Sequence, residues 1–299
     1  MSMLVVGSVA LDSIETPFSK KNEILGGSAT FSSVAASFFD KVNIIAAVGD
    51  DFPKKYIKLL KDRGIGTEGL LVMEGKTFRW KGRYEYDLNV AHTLTTRLNV
   101  FKDFSPKIPR GLMNSEFVFL ANIDPVLQDR VLSQINRPKL IACDSMNHWI
   151  TNKKRALEKF LHKVDIFLLN DAEARQFSGE ASLLKAAKVI ISNGPKAVVI
   201  KKGEHGVIYY SRRSHFLAPA YPLDNVYDPT GAGDTFAGGM IGYLSKAAKV
   251  NDASIRRSII YGTILASFVV EDFSINKLLN ISLGDINKRY NDFRRMTKF

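Results

Sequence analysis

The sequence predicts a doubly wound α/β sandwich, in which helices cover both faces of a mostly parallel sheet. Short apolar runs rich in β-branched residues recur along the first two thirds of the chain. These runs lack the apolar–polar alternation of a half-exposed strand, which is typical of strands buried on both faces. Segments with helical periodicity lie between them, and this alternation favours parallel strands joined by crossover helices.

The apolar runs are the predicted strands of the central sheet. They are Met3–Val6, Val42–Val48, Phe117–Ala121, Leu140–Cys143, Ile166–Leu169 and Ala197–Ile200. The predicted helices between them are Ala29–Phe39, Lys54–Leu60, Lys153–His162, Ala172–Phe177 and Leu183–Ile191. From Thr235 onward the pattern is mainly helical. No linker or tandem repeat divides the sequence, so we expect one domain over residues 1–299.

One region departs from this alternation. From Thr77 to Tyr86, aromatic and charged residues alternate with a period of two, which predicts a strand with one apolar and one solvent-facing side. Together with Ile14–Ile24, it predicts a small second sheet, with strands in about residues 12–25 and 73–100. Two roles are open for this sheet: a hairpin that packs its aromatic residues on the body, or a lid or dimer clasp over a substrate.

Composition narrows the functional class. No apolar run approaches the ~18 residues that a membrane-spanning helix needs, and the first residues lack the basic region of a signal peptide. Cys143 is the only cysteine, which excludes an intramolecular disulfide and leads us to expect a cytoplasmic protein. The formal net charge is +12, but the basic residues are scattered, so nucleic acid is not the expected partner. A basic surface would also attract anionic nucleotides.

The most informative segment is the glycine-rich stretch from Asp228 to Phe236, which leads into a predicted helix. Backbone N–H groups at a helix start lack intrahelical acceptors, and residues without large side chains let an anion approach them closely. Asp234, expected at the last loop position, would lie beside a bound phosphate and could take a proton from an attacking hydroxyl. Walker A and Rossmann fingerprints do not match this segment. The alternative is a glycine-rich turn that only begins a helix.

A second candidate follows the strand Ile166–Leu169, at an edge where ligands bind in open α/β sheets. Asn170 and Glu173 lie on one side of a starting helix and could hold a hydrated Mg²⁺ ion or a phosphate. The same spacing satisfies a capping box, which is the alternative. Gly26-Gly27 suits either close approach to a ligand or an ordinary tight turn. Asp12 could accept hydrogen bonds from sugar hydroxyls, or simply be solvated.

Taken in order, these motifs resemble the ribokinase-like, or PfkB, family of sugar and nucleoside kinases, over nearly the whole chain. The matching elements are Asp12 after the first strand, Gly26-Gly27, Ala46–Asp51, Asn170-x-x-Glu173, Gly203-x-x-Gly206 and Asp228–Asp234. The last motif, followed by Thr235-Phe236, is the specific one. The resemblance implies a three-layer α/β/α sandwich with a small β-sheet lid. It also implies an ATP-dependent phosphotransferase that acts on a hydroxymethyl group.

The resemblance assigns the chemistry to the glycine-rich loop. By position, Asp234 corresponds to the catalytic base that deprotonates the acceptor hydroxyl. The amides of Gly231, Ala232 and Gly233 correspond to the anion hole for the transferred phosphoryl group.

The resemblance also implies a nucleotide side of the site. Asn170 and Glu173 correspond to the pair that organises ATP and Mg²⁺, with Glu173 acting on the metal through water. Lys202, Gly203 and Gly206 correspond to the loop under the nucleotide.

On the acceptor side, the resemblance implies that Asp12, Gly26 and Gly27 bind the substrate. Asp228 and Thr230 correspond to the positions at which some members bind a stimulating monovalent cation such as K⁺. The family's β-sheet lid favours a lid role for the aromatic hairpin, with a homodimer through the lid as a further expectation.

The departures from the family pattern concern mainly the acceptor. Ala10 and Phe31 stand where ribokinases have asparagines, which argues against ribose itself, since a site built for such hydrogen bonds discriminates strongly. Lys201 stands where many members have a threonine before the nucleotide loop. The expected acceptor is a sugar or sugar-like molecule. The alternatives are a nucleoside stacked on the lid aromatics Phe78, Trp80, Tyr84 and Tyr86, or a non-catalytic nucleotide or sugar sensor.

Overall fold

The structure is a computed structural model that describes residues 3–298. In chain order, the strands are β1 (Met3–Val6), β2 (Ala10–Glu15), β3 (Lys20–Gly26), β4 (Val42–Gly49), β5 (Gly66–Met73), β6 (Arg79–Tyr84), β7 (Ala91–Arg97), β8 (Phe117–Leu120), β9 (Leu140–Asp144), β10 (Ile166–Asn170), β11 (Ala197–Lys201), β12 (Val207–Ser211) and β13 (His215–Ala218). The helices are α1 (Ser28–Ala36), α2 (Lys54–Asp62), α3 (Pro125–Leu132), α4 (Asn147–Asn152), α5 (Lys154–Leu161), α6 (Asp171–Ser178), α7 (Leu183–Ser192), α8 (Ala232–Lys246), α9 (Asp252–Val269), α10 (Asn276–Leu279) and α11 (Leu283–Met296). Short 3₁₀ helices lie at Asn99–Asp103, Arg110–Leu112 and Gly203–His205.

The larger sheet has nine strands in the order β13-β12-β11-β10-β9-β8-β1-β4-β5. The strands from β11 to β5 pair in parallel, and β12 and β13 add an antiparallel edge. Each predicted strand of the central sheet is present within one or two residues. The sequence pattern missed β5, β12 and β13. These strands lie at or next to the edges of the sheet, where part of each strand is exposed and a continuous apolar run is lacking.

Apolar packing on both faces of this sheet makes three layers. Along β1, Met3 and Val5 enter one core with α1, α8 and α9, whereas Leu4 and Val6 enter the other with α3, α5, α6 and α7. Consecutive strand residues point to opposite faces, so a fully apolar strand is required where both faces are covered. The predicted α/β/α sandwich is therefore confirmed.

The smaller sheet has four strands in the order β3-β2-β6-β7. β2 pairs with β3 in an antiparallel and with β6 in a parallel arrangement, and β6 pairs with β7 in an antiparallel arrangement. On one face, Ile14 and Tyr84 form a small apolar cluster with Phe273 from the body, with Trp80 packed against it. This contact holds the small sheet against the segment that follows α9. The small second sheet predicted from the sequence is present.

The helices α1 and α8 pack with their backbones close together. A Cβ atom on Gly238 would lie 2.1 Å from the carbonyl oxygen of Ser32, and one on Gly242 would lie 2.7 Å from the Cα atom of Ala36. Both glycines are therefore required by space and not by backbone conformation. The small side chains of α1 let the backbones approach in the same way.

We expect Gly238→Ala to lower the free energy of unfolding by about 2 kcal/mol or more, because an added methyl group has no room between the two backbones. Chemical denaturation of both proteins measures the difference. Gly111→Ala is the matched control, since nothing lies within 4 Å of the added Cβ atom, and it should change stability by less than about 0.5–1 kcal/mol. Equal effects of the two substitutions would contradict the packing argument.

Candidate active site

The glycine-rich loop turns into α8 at Gly231. This residue is the N-cap of the helix with φ of 77°, a left-handed conformation that favours glycine. The Phe31 ring of α1 lies against the same residue, because a Cβ atom on Gly231 would come within 2.5 Å of three ring atoms. Asp234 is therefore the third residue of the helix, and not at the last loop position that the sequence suggested.

The first turn of α8 presents free backbone donors. The amide of Ala232 donates to the carbonyl oxygen of Pro229 at 3.1 Å. Within residues 3–298, no acceptor is in hydrogen-bond range of the amides of Gly231, Gly233 or Asp234. Free N–H groups at the positive end of a helix dipole attract an anion. The turn therefore has free donors for an anion. The resemblance assigned the amides of Gly231, Ala232 and Gly233 to this role, but the Ala232 amide is bonded to Pro229, and the free donors are those of Gly231, Gly233 and Asp234.

The carboxyl of Asp234 has a pKa near neutral pH. Burial raises the pKa of its carboxyl to about 7; the charge of Asp144 also raises it, and Lys201 opposes the shift. A catalytic base is most effective when its pKa lies near the working pH. The hydroxyl of Ser32 on α1 lies 3.1 Å from the carbonyl oxygen of Asp234, which ties the turn to the neighbouring helix.

A buried ion pair lies next to this turn and was not singled out from the sequence. Lys201 ends β11, Asp144 ends β9, and Nζ lies 2.6 Å from Oδ2. Burial lowers the pKa of Lys201, but the charges of Asp144 and Glu173 outweigh this and raise it above its ordinary value. The two strands lie on either side of β10 in the same sheet. The signal in the sequence was the polar residue that ends each apolar strand.

The acceptor-side candidates Asp12, Gly26 and Gly27 lie close together, where β2, β3 and the start of α1 meet. Asp12 on β2 is 4% exposed, and its carboxylate lies so close to Gly26 that a Cβ atom there would be 1.8 Å from Oδ2. Gly27 has φ of 93°, and a Cβ atom would lie 2.5 Å from the carbonyl oxygen of Ser8. The glycine pair is therefore explained by the close approach of β2 to the start of α1.

Burial raises the pKa of Asp12 to about 7. The backbone N–H of Gly27 opposes the shift, and the charges of Asp228 and Asp234 add to it. These interactions mean that the acceptor-side carboxyl and the candidate base share one electrostatic environment. The structure thus brings together the two aspartates that were proposed for the acceptor hydroxyls and for the base.

Asn170 and Glu173 form a capping box at the start of α6. The Asn170 side chain accepts from the Glu173 amide at 2.8 Å, and the Glu173 carboxylate accepts from the Asn170 amide at 2.7 Å. Burial raises the pKa of Glu173 to about 7; Asp144 and Asp234 also raise it, whereas Lys201 and the Asn170 amide lower it. The local capping role is realised. The charge environment also joins Glu173 to the same cluster as Asp234.

The candidate nucleotide loop is a tight turn between β11 and β12. Gly203 and Gly206 have φ of 54° and 83°, and the Lys202 amide donates to the carbonyl oxygen of Gly206 at 2.8 Å. A Cβ atom on Gly206 would lie 2.1 Å from a backbone oxygen of β13. Both the positive φ and the lack of space therefore favour glycine at this position. Asn89 of the small sheet's loop donates to the exposed Glu204 of this turn at 3.1 Å.

Asp228 and Thr230 are held by contacts with the backbone and with the small sheet. Asp228 is 1% exposed and accepts from the amides of Thr230 at 2.9 Å and Ser274 at 3.4 Å. Burial raises the pKa of Asp228, and the bonds to Thr230 oppose the shift. The Thr230 hydroxyl lies 3.1 Å from the phenol oxygen of Tyr84 and donates to it. The monovalent-cation role of this pair stays a prediction.

The four aromatic residues of the predicted hairpin do not share one surface. One face of β6 carries Trp80, Gly82 and Tyr84, and the residues between them point to the other face. Asp12 of β2 lies beside Trp80 on the first of these faces. The Trp80 ring lies over Gly82, where a Cβ atom would come within 2.1 Å of it. Phe78 instead stacks on Phe101 with ring centroids 5.6 Å apart. Tyr86, outside the strand, is 84% exposed.

The two positions that depart from the ribokinase pattern are closed to a ligand. Ala10 is fully buried, and Phe31 is 2% exposed behind Gly231. Neither side chain is open to a ligand, and Phe31 instead packs against the glycine-rich loop at Gly231.

The fold and its relatives define a kinase that phosphorylates a hydroxyl acceptor. The family model of the pfkB family carbohydrate kinases matches residues 6–280. The match covers most of the chain, and the protein belongs to this family.

Similar proteins extend the comparison. A cytidine kinase from Thermococcus kodakarensis is 26% identical over 258 residues, which cover 84% of this chain and 91% of that enzyme. The crystal structure of the Methanocaldococcus jannaschii nucleoside kinase has a TM-score of 0.77 at 21% identity, over 97% and 98% of the two chains. A candidate ribokinase II from E. coli, solved in complex with ATP and Mg²⁺, has a TM-score of 0.80 at 18% identity, over 97% and 99%. Within residues 3–298, no helix is long and apolar enough to span a membrane.

Proposed function

We propose that this protein transfers the γ-phosphoryl group of ATP to a hydroxymethyl group of a sugar or nucleoside, with Asp234 as the base. The observation that carries the proposal is the first turn of α8. There a carboxyl with a pKa of about 7 stands beside unpartnered backbone amides, and a buried aspartate of the small sheet shares its electrostatic environment. This combination supplies a proton acceptor and an anion site at one point.

In this mechanism, Asp234 accepts the proton of the acceptor hydroxyl as the new oxygen–phosphorus bond forms. The bond to the β-phosphate oxygen breaks, and ADP leaves. The amides of Gly231, Gly233 and Asp234 stabilise the charge on the transferred group. Base catalysis contributes ~10²–10⁴-fold, and the loss of one anion-hole donor in other enzymes costs about 10²–10³-fold. Asp12 orients the acceptor hydroxyls.

The residues present fit a magnesium ion held through water. Asp144, Glu173 and Asp234 form a cluster with more negative than positive charge, and the pKa values of two members rise to about 7. Residues 3–298 contain no group of three or more direct metal ligands. Mg²⁺ commonly binds one or two carboxylates together with waters and substrate phosphates. Glu173, placed by Asn170, would hold the ion, which would neutralise phosphate charge.

A nucleoside is the acceptor class that the small sheet favours. Trp80 presents an aromatic ring on the face that carries Asp12, and Tyr84 lies further along that face. A base stacked on an aromatic side chain gains about 1–3 kcal/mol. The similar proteins named as cytidine and nucleoside kinases support the same choice. A free sugar remains the alternative acceptor, since Asp12 would serve its hydroxyls equally.

Two further roles belong to this proposal. A monovalent cation such as K⁺ would be held by Asp228 and Thr230, and its effect is tested by exchanging K⁺ for a bulky organic cation in the assay. A homodimer would form through the small sheet, where every residue of β7 is exposed at the sheet edge. Sedimentation analysis distinguishes the dimer from the monomer.

The base assignment is tested by Asp234→Asn. We expect ADP release with the true acceptor to fall by about 10²-fold or more, because the amide cannot accept the proton. The acceptor is found first, by a coupled ADP-release screen of the unmodified protein over pentoses, hexoses, sugar phosphates and nucleosides. Turnover of the variant within about tenfold of the unmodified protein would contradict the assignment. No ADP release with any acceptor would favour the non-catalytic sensor.

The nucleoside assignment is tested by Trp80→Leu. We expect KM for the best nucleoside to rise by about tenfold or more, because the stacking surface is lost, while KM for a free pentose changes little. Tyr86→Leu is the matched control, since this aromatic residue lies just beyond the same strand and is 84% exposed. Equal KM values for nucleosides in the three proteins would contradict stacking on Trp80.

A further inference from the structure

The ion pair of Lys201 and Asp144 has a geometry that a structural role alone does not require. Nζ lies 3.1 Å from the position that a Cβ atom on Gly233 would occupy. The ammonium therefore packs directly against the first turn of α8, beside the free amides. Gly233 has an ordinary backbone conformation, and its missing side chain leaves the space that the ammonium occupies.

The ammonium has donors to spare. An ammonium group carries three N–H donors, and within residues 3–298 its hydrogen-bond acceptor is Asp144 Oδ2 at 2.6 Å. The side chain is only 17% exposed, and that of Asp144 only 5%. The remaining N–H groups can donate to a ligand that supplies anionic oxygens.

Lys201 lies between the candidate nucleotide loop and the turn that carries Asp234. Lys201 ends β11, two residues before Gly203 of the candidate nucleotide loop, and pairs in register with Asn170. On the other side it meets the turn that carries Asp234. A phosphoryl group that moves from the nucleotide to an acceptor at Asp234 must cross the space between these elements.

We propose that Lys201 is a catalytic residue that binds the transferred phosphoryl group, and that Asp144 is the positioning residue that aims its ammonium. This inference rests on the proposed function. Lys201 keeps its proton throughout: the acceptor oxygen bonds to phosphorus, the bond to the β-phosphate oxygen breaks, and the acceptor proton goes to Asp234. Two ammonium N–H groups follow the phosphoryl oxygens while the third stays on Asp144.

The first test measures nucleotide binding without an acceptor, by calorimetry. The probes are ADP and an ATP analogue with a non-hydrolysable β,γ linkage, each with Mg²⁺. We expect Lys201→Met to weaken the analogue by about tenfold or more and ADP by less than threefold, because only the analogue carries the group that the ammonium contacts. Equal losses for both probes, or no loss, would overturn the proposal.

The second test measures turnover and its rescue. We expect Lys201→Ala to lower kcat by about 10²-fold or more, with little change in KM for the acceptor, and added methylamine to restore part of kcat. Asp144→Asn should lower kcat less than Lys201→Ala does, and added methylamine should not raise the kcat of Asp144→Asn. Lys201→Ala turnover within threefold of the unmodified protein, or a loss of kcat that methylamine does not change, would overturn the proposal.

The matched control is Lys196→Met. Lys196 pairs with Asp165 at 2.6 Å just before β11 and β10 begin, at the amino ends of the strands and away from the carboxyl ends that carry Lys201 and Asp144. Its loss should leave nucleotide binding and kcat unchanged. If Lys201→Ala does not fold, Lys201→Met, which keeps a buried aliphatic stem, replaces it in the kcat comparison. An unmodified protein that releases no ADP contradicts the proposed function, whereas the calorimetric comparison still decides the role of Lys201.

Discussion

The position of the first turn of α8 against α1 is the constraint on which the rest of the site depends. Phe31 lies against Gly231, Ser32 approaches the carbonyl oxygen of Asp234, and Gly238 leaves room for the α1 backbone. These three contacts fix where the helix begins and where its free amides point. A displaced turn would separate the candidate base from the amides and from Lys201, because all of these groups lie on or beside it.

The electrostatics of the site follow from this close packing. Asp12, Glu173 and Asp234 each have a pKa raised to about 7, and burial is the largest cause in every case. Lys201 opposes the rise for Glu173 and Asp234. Such perturbed groups gathered at one place are typical of a functional site. A cation with its phosphates would exchange this unfavourable burial for ion pairing.

The sequence predicted the architecture well because its strongest patterns arise from burial on both faces of a sheet. Runs such as Val42–Val48, rich in β-branched residues, favour a strand covered on both faces, and the structure has β4 there. The edge strand β13 and the short helix α4 were missed, because half-exposed segments carry mixed residues. The family resemblance supplied the roles of the glycine-rich loop that pattern alone left open.

Interactions between distant strands could not be predicted from a single sequence. Asp144 and Lys201 are 57 positions apart, and only the strand order shows that their ends lie one strand apart. Phe31 was expected to influence acceptor choice, yet its ring is buried behind Gly231. The sequence likewise indicated that the lid aromatics act together, whereas their positions along β6 and its flanks send Phe78 and Tyr86 elsewhere.

The most direct measurement of the account is the pH dependence of kcat/KM, which reports the ionisation of the free enzyme. The base must be ionised to accept a proton, and the pKa of Asp234 is about 7. With Asp234 as the base, kcat/KM should therefore fall as the pH drops below about 7, with a slope that approaches tenfold per pH unit, and should reach a plateau above about pH 8. A profile that is flat between about pH 5 and 8, or that falls only near the ordinary aspartate pKa of about 4, would contradict it.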